Sequence, residues 1–166
     1  MDINYTKQQI KYYQNFPIKG VEYVDLNPIY KNPKARNILV EDCIRLIKNI
    51  EFDYFALIES RGFLICSILA DKLEKGIILL RSKKDRLPGK IFTVKHKLEY
   101  GEAIMQAQEG TGKVLIFDDV LATGGTANGA FKVLNRAGYI PIFSLFLAEL
   151  SQFKTICDTP HKSSMI

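Results

Sequence analysis

The sequence is most informative first for what it lacks. Its 166 residues include three cysteines, Cys43, Cys66 and Cys157, widely spaced and without a CxxC pair. Only His96 and His161 could join them as metal ligands, so a disulfide framework is excluded, a zinc site is disfavoured, and the cysteines read as reduced thiols. No apolar run reaches the ~18–20 residues of a membrane span. The longest are Gly62–Ala70 and Tyr139–Ala148, and the second contains Pro141. Met1–Phe16 holds no apolar block followed by a small-residue cleavage site, so no secretory signal is read and the cytoplasm is expected. No Gly/Ser linker, low-complexity run or repeat divides the chain, whose length suits one domain spanning 1–166. There is no GxGxxG around Gly124. The P-loop-like Glu109–Val114 has Ala107 where a glycine is needed, has Val114 where a hydroxyl is needed, and precedes a strand.

What is present is globular: 47% hydrophobic and 25% charged residues, enough for a core without staples. Basic residues exceed acids by 23 to 18, a net charge of +5. Such an excess suits either nucleic acid or a small polyanion, and only the positions of the charges can separate the two.

Asn32-Pro33 followed by Ile38, Leu39, Leu46, Ile47 and Ile50 predicts an amphipathic helix opened by a turn residue and proline. Phe55–Ile58, Ile77–Leu80, Lys113–Phe117 and Ile140–Leu147 read as short buried strands, with helices over Gly62–Leu73 and Ala127–Ala137. This alternation predicts an α/β fold with a central, mainly parallel sheet flanked by helices on both faces. Ile91–Leu98 alternates like a hairpin arm outside that sheet. In such sheets ligands sit beyond the carboxyl ends of the strands.

One strand end stands out. Val114-Leu115-Ile116-Phe117 leads into Asp118-Asp119, then Val120-Leu121-Ala122-Thr123-Gly124-Gly125-Thr126, then a helix. Unpaired amides and partial positive charge at that helix start suit a phosphate. Gly124 and Gly125 allow close backbone approach, and the Thr123 and Thr126 hydroxyls add donors. Two carboxylates beside a phosphate cradle make sense if the ligand also carries hydroxyls or a bound Mg²⁺, as a phosphorylated ribose does.

This run resembles the signature of the type I phosphoribosyltransferases, which bind 5-phosphoribosyl 1-pyrophosphate. Further motifs resemble the adenine phosphoribosyltransferases within that class. They are Asn15-Phe16-Pro17-Ile18-Lys19-Gly20-Val21 with Asp25-Leu26-Asn27-Pro28, then Glu59-Ser60-Arg61-Gly62-Phe63, Arg86-Leu87-Pro88-Gly89-Lys90, Leu98-Glu99-Tyr100-Gly101-Glu102 and Ala148-Glu149-Leu150. They occur in the family's order over about residues 15 to 150.

The resemblance implies a type I phosphoribosyltransferase-like fold with a small N-terminal hood (1–30), a mobile arm or loop over 82–101 and a short tail (151–166). It implies transfer of phosphoribosyl from phosphoribosyl pyrophosphate to adenine, giving AMP and pyrophosphate. Ala122, Thr123, Gly124, Gly125 and Thr126 would hold the 5′-phosphate, and Asp118 and Asp119 the ribose hydroxyls. Ser60, Arg61 and Lys83 would meet the pyrophosphate. Glu99 would be the catalytic residue, with Tyr100 beside it, Val24 would meet the base, and Phe16 or Tyr23 would stack on it. Mg²⁺ would be the cofactor, bound mainly through substrate oxygens and without dedicated protein ligands. The partners implied are adenine, phosphoribosyl pyrophosphate and a second copy of the chain, with no nucleic acid and no membrane. The resemblance also implies a cis peptide at Glu59–Ser60.

The chain departs from the family at Tyr23-Val24-Asp25, where Phe-Arg-Asp is usual, at Glu22, where an apolar residue is usual, and at Ser82 and Asp85. Beyond Leu150 no further apolar strand is legible, so a truncated sheet edge or frayed tail is expected. Two other readings remain open here. One is a transferase for a 6-oxopurine, with Lys19 as the donor. The other is a non-catalytic phosphoribosyl pyrophosphate sensor that binds nucleic acid; the Leu-Glu-Tyr-Gly motif argues against it.

Overall fold

The computed structural model describes residues 2–98, 101–150 and 155–165. Its elements are α1 (Ile3–Lys7), β1 (Lys11–Gln14), β2 (Glu22–Asp25), α2 (Asn27–Lys31), α3 (Pro33–Ile47), β3 (Tyr54–Ile58), α4 (Phe63–Lys72) and β4 (Gly76–Leu80). They continue with β5 (Ile91–Leu98), β6 (Gly101–Gln108), β7 (Lys113–Leu121), α5 (Gly125–Ala137), β8 (Ile140–Glu149) and β9 (His161–Met165).

Five strands form one sheet in the order β4-β3-β7-β8-β9, every neighbouring pair parallel. The two-residue period of a strand divides its core cleanly. Phe55 and Leu57 on β3, with Leu115 and Phe117 on β7, face a layer holding Leu39, Cys43, Ile65 and Leu69 of α3 and α4. Ala56, Ile58, Val114 and Ile116 face the opposite way, onto Ala130, Val133 and Leu134 of α5 and Val94 and Met105 of β5 and β6. Helices on both faces explain why these strands read as continuous apolar runs. Asn32 caps α3, its Oδ1 accepting from the Lys34 and Ala35 amides ahead of Pro33 at the first helical turn.

Two small antiparallel hairpins flank the sheet. One, β1–β2, pairs Lys11 with Asp25 through Gln14 with Glu22. The other, β5–β6, pairs Ile91 with Gln108 through Leu98 with Gly101 and packs on α5, where Gly129 lies against the His96 ring. Within the expected arm or loop over 82–101, Ile91–Leu98 is the expected hairpin arm, and residues 82–90 form no strand.

Three expectations change. β7 does not stop at Phe117 but carries both aspartates and ends at Leu121. Its pairing with β3 ends at Leu57–Phe117, whereas β8 continues as its partner through Leu121–Glu149. A neighbour's free backbone edge outweighs the poor strand propensity of aspartate. α5 starts at Gly125, earlier than expected. The segment read as a frayed tail supplies β9, the sheet's fifth strand. β9 is polar in sequence because it is an edge strand: Ser163 Oγ donates to Glu149, Ser164 Oγ to Asp42, and Met165 is buried. Among the described residues no helix is long and apolar enough to cross a membrane.

Candidate active site

A cavity of about 560 Å³ opens beyond the carboxyl ends of β7 and β8. Its floor is the unbroken run Asp118 to Ala127, with Phe146 and Leu150 from β8 and the residue after it. The β1–β2 hairpin roofs it through Gln14, Pro17 and Gly20 to Val24, and Arg61 enters from the β3–α4 turn.

The loop takes its shape from Gly124, which occupies the N-cap of α5 with φ +90° and no side-chain cap bond. That left-handed conformation is strained for residues with a Cβ. The first-turn amides of α5 therefore have no side-chain acceptor at the cap, and α5 carries no acidic residue in that turn. Its positive end is open to an anion.

Beside this cradle stands the acidic doublet. Asp119 is almost fully buried and pairs with Arg61, whose Nε lies 2.7 Å from Oδ2 and whose Nη2 donates to Oδ1 at 3.4 Å. The guanidinium also lies over the Tyr23 ring, 5.2 Å from its centroid. The Asp118 carboxyl accepts from the Asp119 amide at 2.8 Å. Burial, and then the Asp119 charge, push the Asp118 carboxyl well above the usual carboxylate range. Tyr30 neighbours this group: burial and Asp119 raise its phenol, and its hydroxyl has no hydrogen-bond partner among the described residues.

The described residues contain no cluster of three or more His, Cys, Asp or Glu able to hold a metal ion. Asp118 and Asp119 alone face the cavity as carboxylates from the floor. Two carboxylates fit Mg²⁺ that keeps most of its shell on substrate phosphates and water.

Of the residues singled out from sequence, Asp118, Asp119, Ala122, Thr123, Gly124, Gly125, Thr126, Arg61 and Val24 line this one cavity. Ser60 does not line it, although the Glu59–Ser60 peptide is cis as expected. Phe16 is exposed and packs edge-on to Tyr23, with centroids 5.0 Å apart; it is Tyr23 that lines the cavity. Lys83 is exposed and outside the lining. Glu99 and Tyr100, between the paired Leu98 and Gly101, lie outside the described residues.

Sequence reasoning missed two supports. Glu59 accepts from the Ser82 amide, the Ser82 hydroxyl and Arg81 Nη1, each at 3.1 Å, and so ties the basic loop to the Arg61 turn. The Ser82 amide bond, more than any other contact, holds the Glu59 carboxyl below its ordinary range. The other support is the segment after residue 154, which packs against the loop at 122–128. Neither carries a local motif, since both depend on contacts between distant residues.

Residues 27–147 match the family model of the phosphoribosyl transferase domain. The parallel sheet, the loop at 118–126 and this match define the chain's class, the type I phosphoribosyltransferases. An adenine phosphoribosyltransferase of Prochlorococcus marinus is 45% identical over 156 residues, covering 92% of this chain and 90% of that protein. The crystal structure of adenine phosphoribosyltransferase from Thermoanaerobacter pseudethanolicus superposes with a TM-score of 0.91 at 31% identity, covering 99% of both chains. That of the Saccharomyces cerevisiae enzyme, complexed with an imino-altritol bisphosphate and adenine, superposes with a TM-score of 0.88 at 28% identity over 98% of this chain and 97% of that one. The chain belongs to the adenine phosphoribosyltransferase family.

Proposed function

We propose that the protein transfers the 5-phosphoribosyl group from phosphoribosyl pyrophosphate to adenine, giving AMP and pyrophosphate, a purine-salvage reaction. The observation that carries this reading is the convergence of the Asp118–Asp119 doublet, the Gly124 helix cap, Arg61 and a tyrosine-lined hood on one cavity. Each group answers one part of the substrates. The loop amides and α5 hold the 5′-phosphate, and the Thr123 and Thr126 hydroxyls contribute donors. Asp118 and Asp119 take the ribose 2′- and 3′-hydroxyls. Arg61, joined by Lys83 from the basic loop, neutralises the departing pyrophosphate.

Arg61 is paired with Asp119 in this structure. Substrate binding exchanges that carboxylate for the pyrophosphate and leaves Asp119 to accept from a ribose hydroxyl. The bond to pyrophosphate loosens before the purine N9 closes in, so positive charge builds on the ribose and catalysis is chiefly positioning and charge stabilisation. Glu99 handles a proton at the purine imidazole edge. Asp118 and Asp119 would help hold Mg²⁺ whose remaining ligands are substrate oxygens, and the ion would supply charge neutralisation on the pyrophosphate. Val24 presents main-chain groups to adenine and Tyr23 flanks the base. The protein acts as a cytoplasmic homodimer.

Lys19, the donor that an oxopurine reading needs, is exposed and outside the cavity lining, which favours adenine. Purified protein incubated with Mg²⁺, phosphoribosyl pyrophosphate and each purine in turn should release nucleotide with adenine. Product only with an oxopurine overturns the choice of base, and no turnover with any purine overturns the activity.

A further inference from the structure

A trans peptide points its C=O and the next N–H in opposite directions. After β7, three successive carbonyls have identified partners. Thr155 Oγ1 donates to Ala122 O at 2.7 Å, the Ile156 amide to Thr123 O at 3.2 Å, and the Asn128 amide to Gly124 O at 2.9 Å. The first two donors belong to residues 155–158, the stretch leading into β9. With those carbonyls drawn toward this stretch and into α5, the amides of Thr123, Gly124 and Gly125 must aim the other way. These three residues line the cavity.

Asn128, in the second turn of α5, clasps the same stretch at two points. Its Nδ2 donates to Ile156 O at 2.9 Å, and its Oδ1 accepts from the Asp158 amide at 2.8 Å. Loop and stretch are in such close contact that a Cβ on Gly124 would lie 2.0 Å from Ile156 O.

We propose that Thr155–Asp158 is a strap that sets the 5′-phosphate loop before substrate arrives, with Thr155 and Asn128 as its positioning residues. The inference rests on the reading that this loop takes a sugar phosphate. Donors already aimed at the anion spare the binding step the cost of ordering them. Neither residue lines the cavity. Each acts through the direction of a peptide plane, so the effect must fall on the phosphate and spare the base.

The test compares Thr155→Val, which keeps the shape and removes the donor, with Thr155→Ser, which restores it, and with Asn128→Ala. Calorimetry with ribose 5-phosphate reads the loop without requiring turnover, and steady-state kinetics give separate KM values for phosphoribosyl pyrophosphate and adenine. Thr155→Val and Asn128→Ala should each weaken ribose 5-phosphate binding and raise the KM for phosphoribosyl pyrophosphate by about tenfold. The KM for adenine should hold, and Thr155→Ser should behave as wild type. Wild-type affinity for ribose 5-phosphate in Thr155→Val, or equal losses for sugar phosphate and adenine, overturns the strap. Wild-type protein that binds ribose 5-phosphate in this strap-dependent way yet forms no AMP would instead overturn the proposed reaction and leave the strap standing.

Discussion

Burial and the adjacent Asp119 charge raise the Asp118 carboxyl, so the folded protein keeps a proton there that the unfolded chain has already released. Between the ordinary aspartate range and that raised value, folding takes up a proton and stability falls as pH rises. Asp118→Asn retains an oxygen for the Asp119 amide and removes this penalty. Its melting temperature near neutral pH should exceed that of wild type, while phosphoribosyl pyrophosphate binding weakens by about tenfold or more; a lower Tm in scanning calorimetry would contradict the account. Glu59 has the opposite sign. Its lowered carboxyl adds stability above the ordinary glutamate range, and that stability is lost as pH falls through the folded-state value. In the proposed reaction Arg61 has two jobs, since its removal would strip the pyrophosphate of a cation and leave Asp119 without its ion pair. Arg61→Ala should lower kcat/KM for phosphoribosyl pyrophosphate by ~10²–10³-fold in steady-state assays. The aspartates, Gly124 and Arg61 were legible in the sequence because each lies in a short contiguous motif. That Tyr23 and not Phe16 lines the cavity was decided by the folded hairpin, which carries Tyr23 on β2 and leaves Phe16 exposed in the loop before it.

Elements show where contiguity stops being enough. The parallel strands were readable because both faces are covered and their apolar runs are unbroken. The polar β9 was not, since an edge strand depends on β8 for its backbone bonds and on Glu149 and Asp42 for its serine hydroxyls. Met165 anchors it with 1% of its surface exposed. Met165→Ala should cost about 2–4 kcal/mol in urea unfolding. A loss under about 0.5 kcal/mol, typical of surface changes, would mean that β9 does not belong to the cooperative fold. The β5–β6 arm depends on α5 in a similar way, because a Cβ at Gly129 would meet His96 Cγ at 2.7 Å. Gly129→Ala improves helix propensity by ~1 kcal/mol yet pushes the arm outward. It should therefore lower kcat with little loss of Tm, and unchanged kcat would separate the arm from catalysis.

At the scale of the whole molecule, the proposed reaction gives the basic surplus and the cavity one explanation. A net charge of +5 suits a polyanionic substrate, and the cavity places Arg61 and the helix end where phosphates would lie. A homodimer should elute with twice the 18.9 kDa chain mass in size-exclusion chromatography with light scattering. A mass of one chain at assay concentration would remove the second copy from the proposal.

The amino-acid order alone determined the alternation of strand and helix, the small-residue loop at 120–126 with its acidic doublet, and the family resemblance. Those features live in local periodicity and in residues adjacent along the chain. Tertiary structure decided how far β7 extends, that a polar tail supplies the sheet's edge strand, that Glu59 tethers the basic loop, and that Thr155 and Ile156 hold the loop carbonyls. Each of these is a hydrogen bond or packing contact between groups far apart in sequence. Its partner exists only once the sheet has assembled.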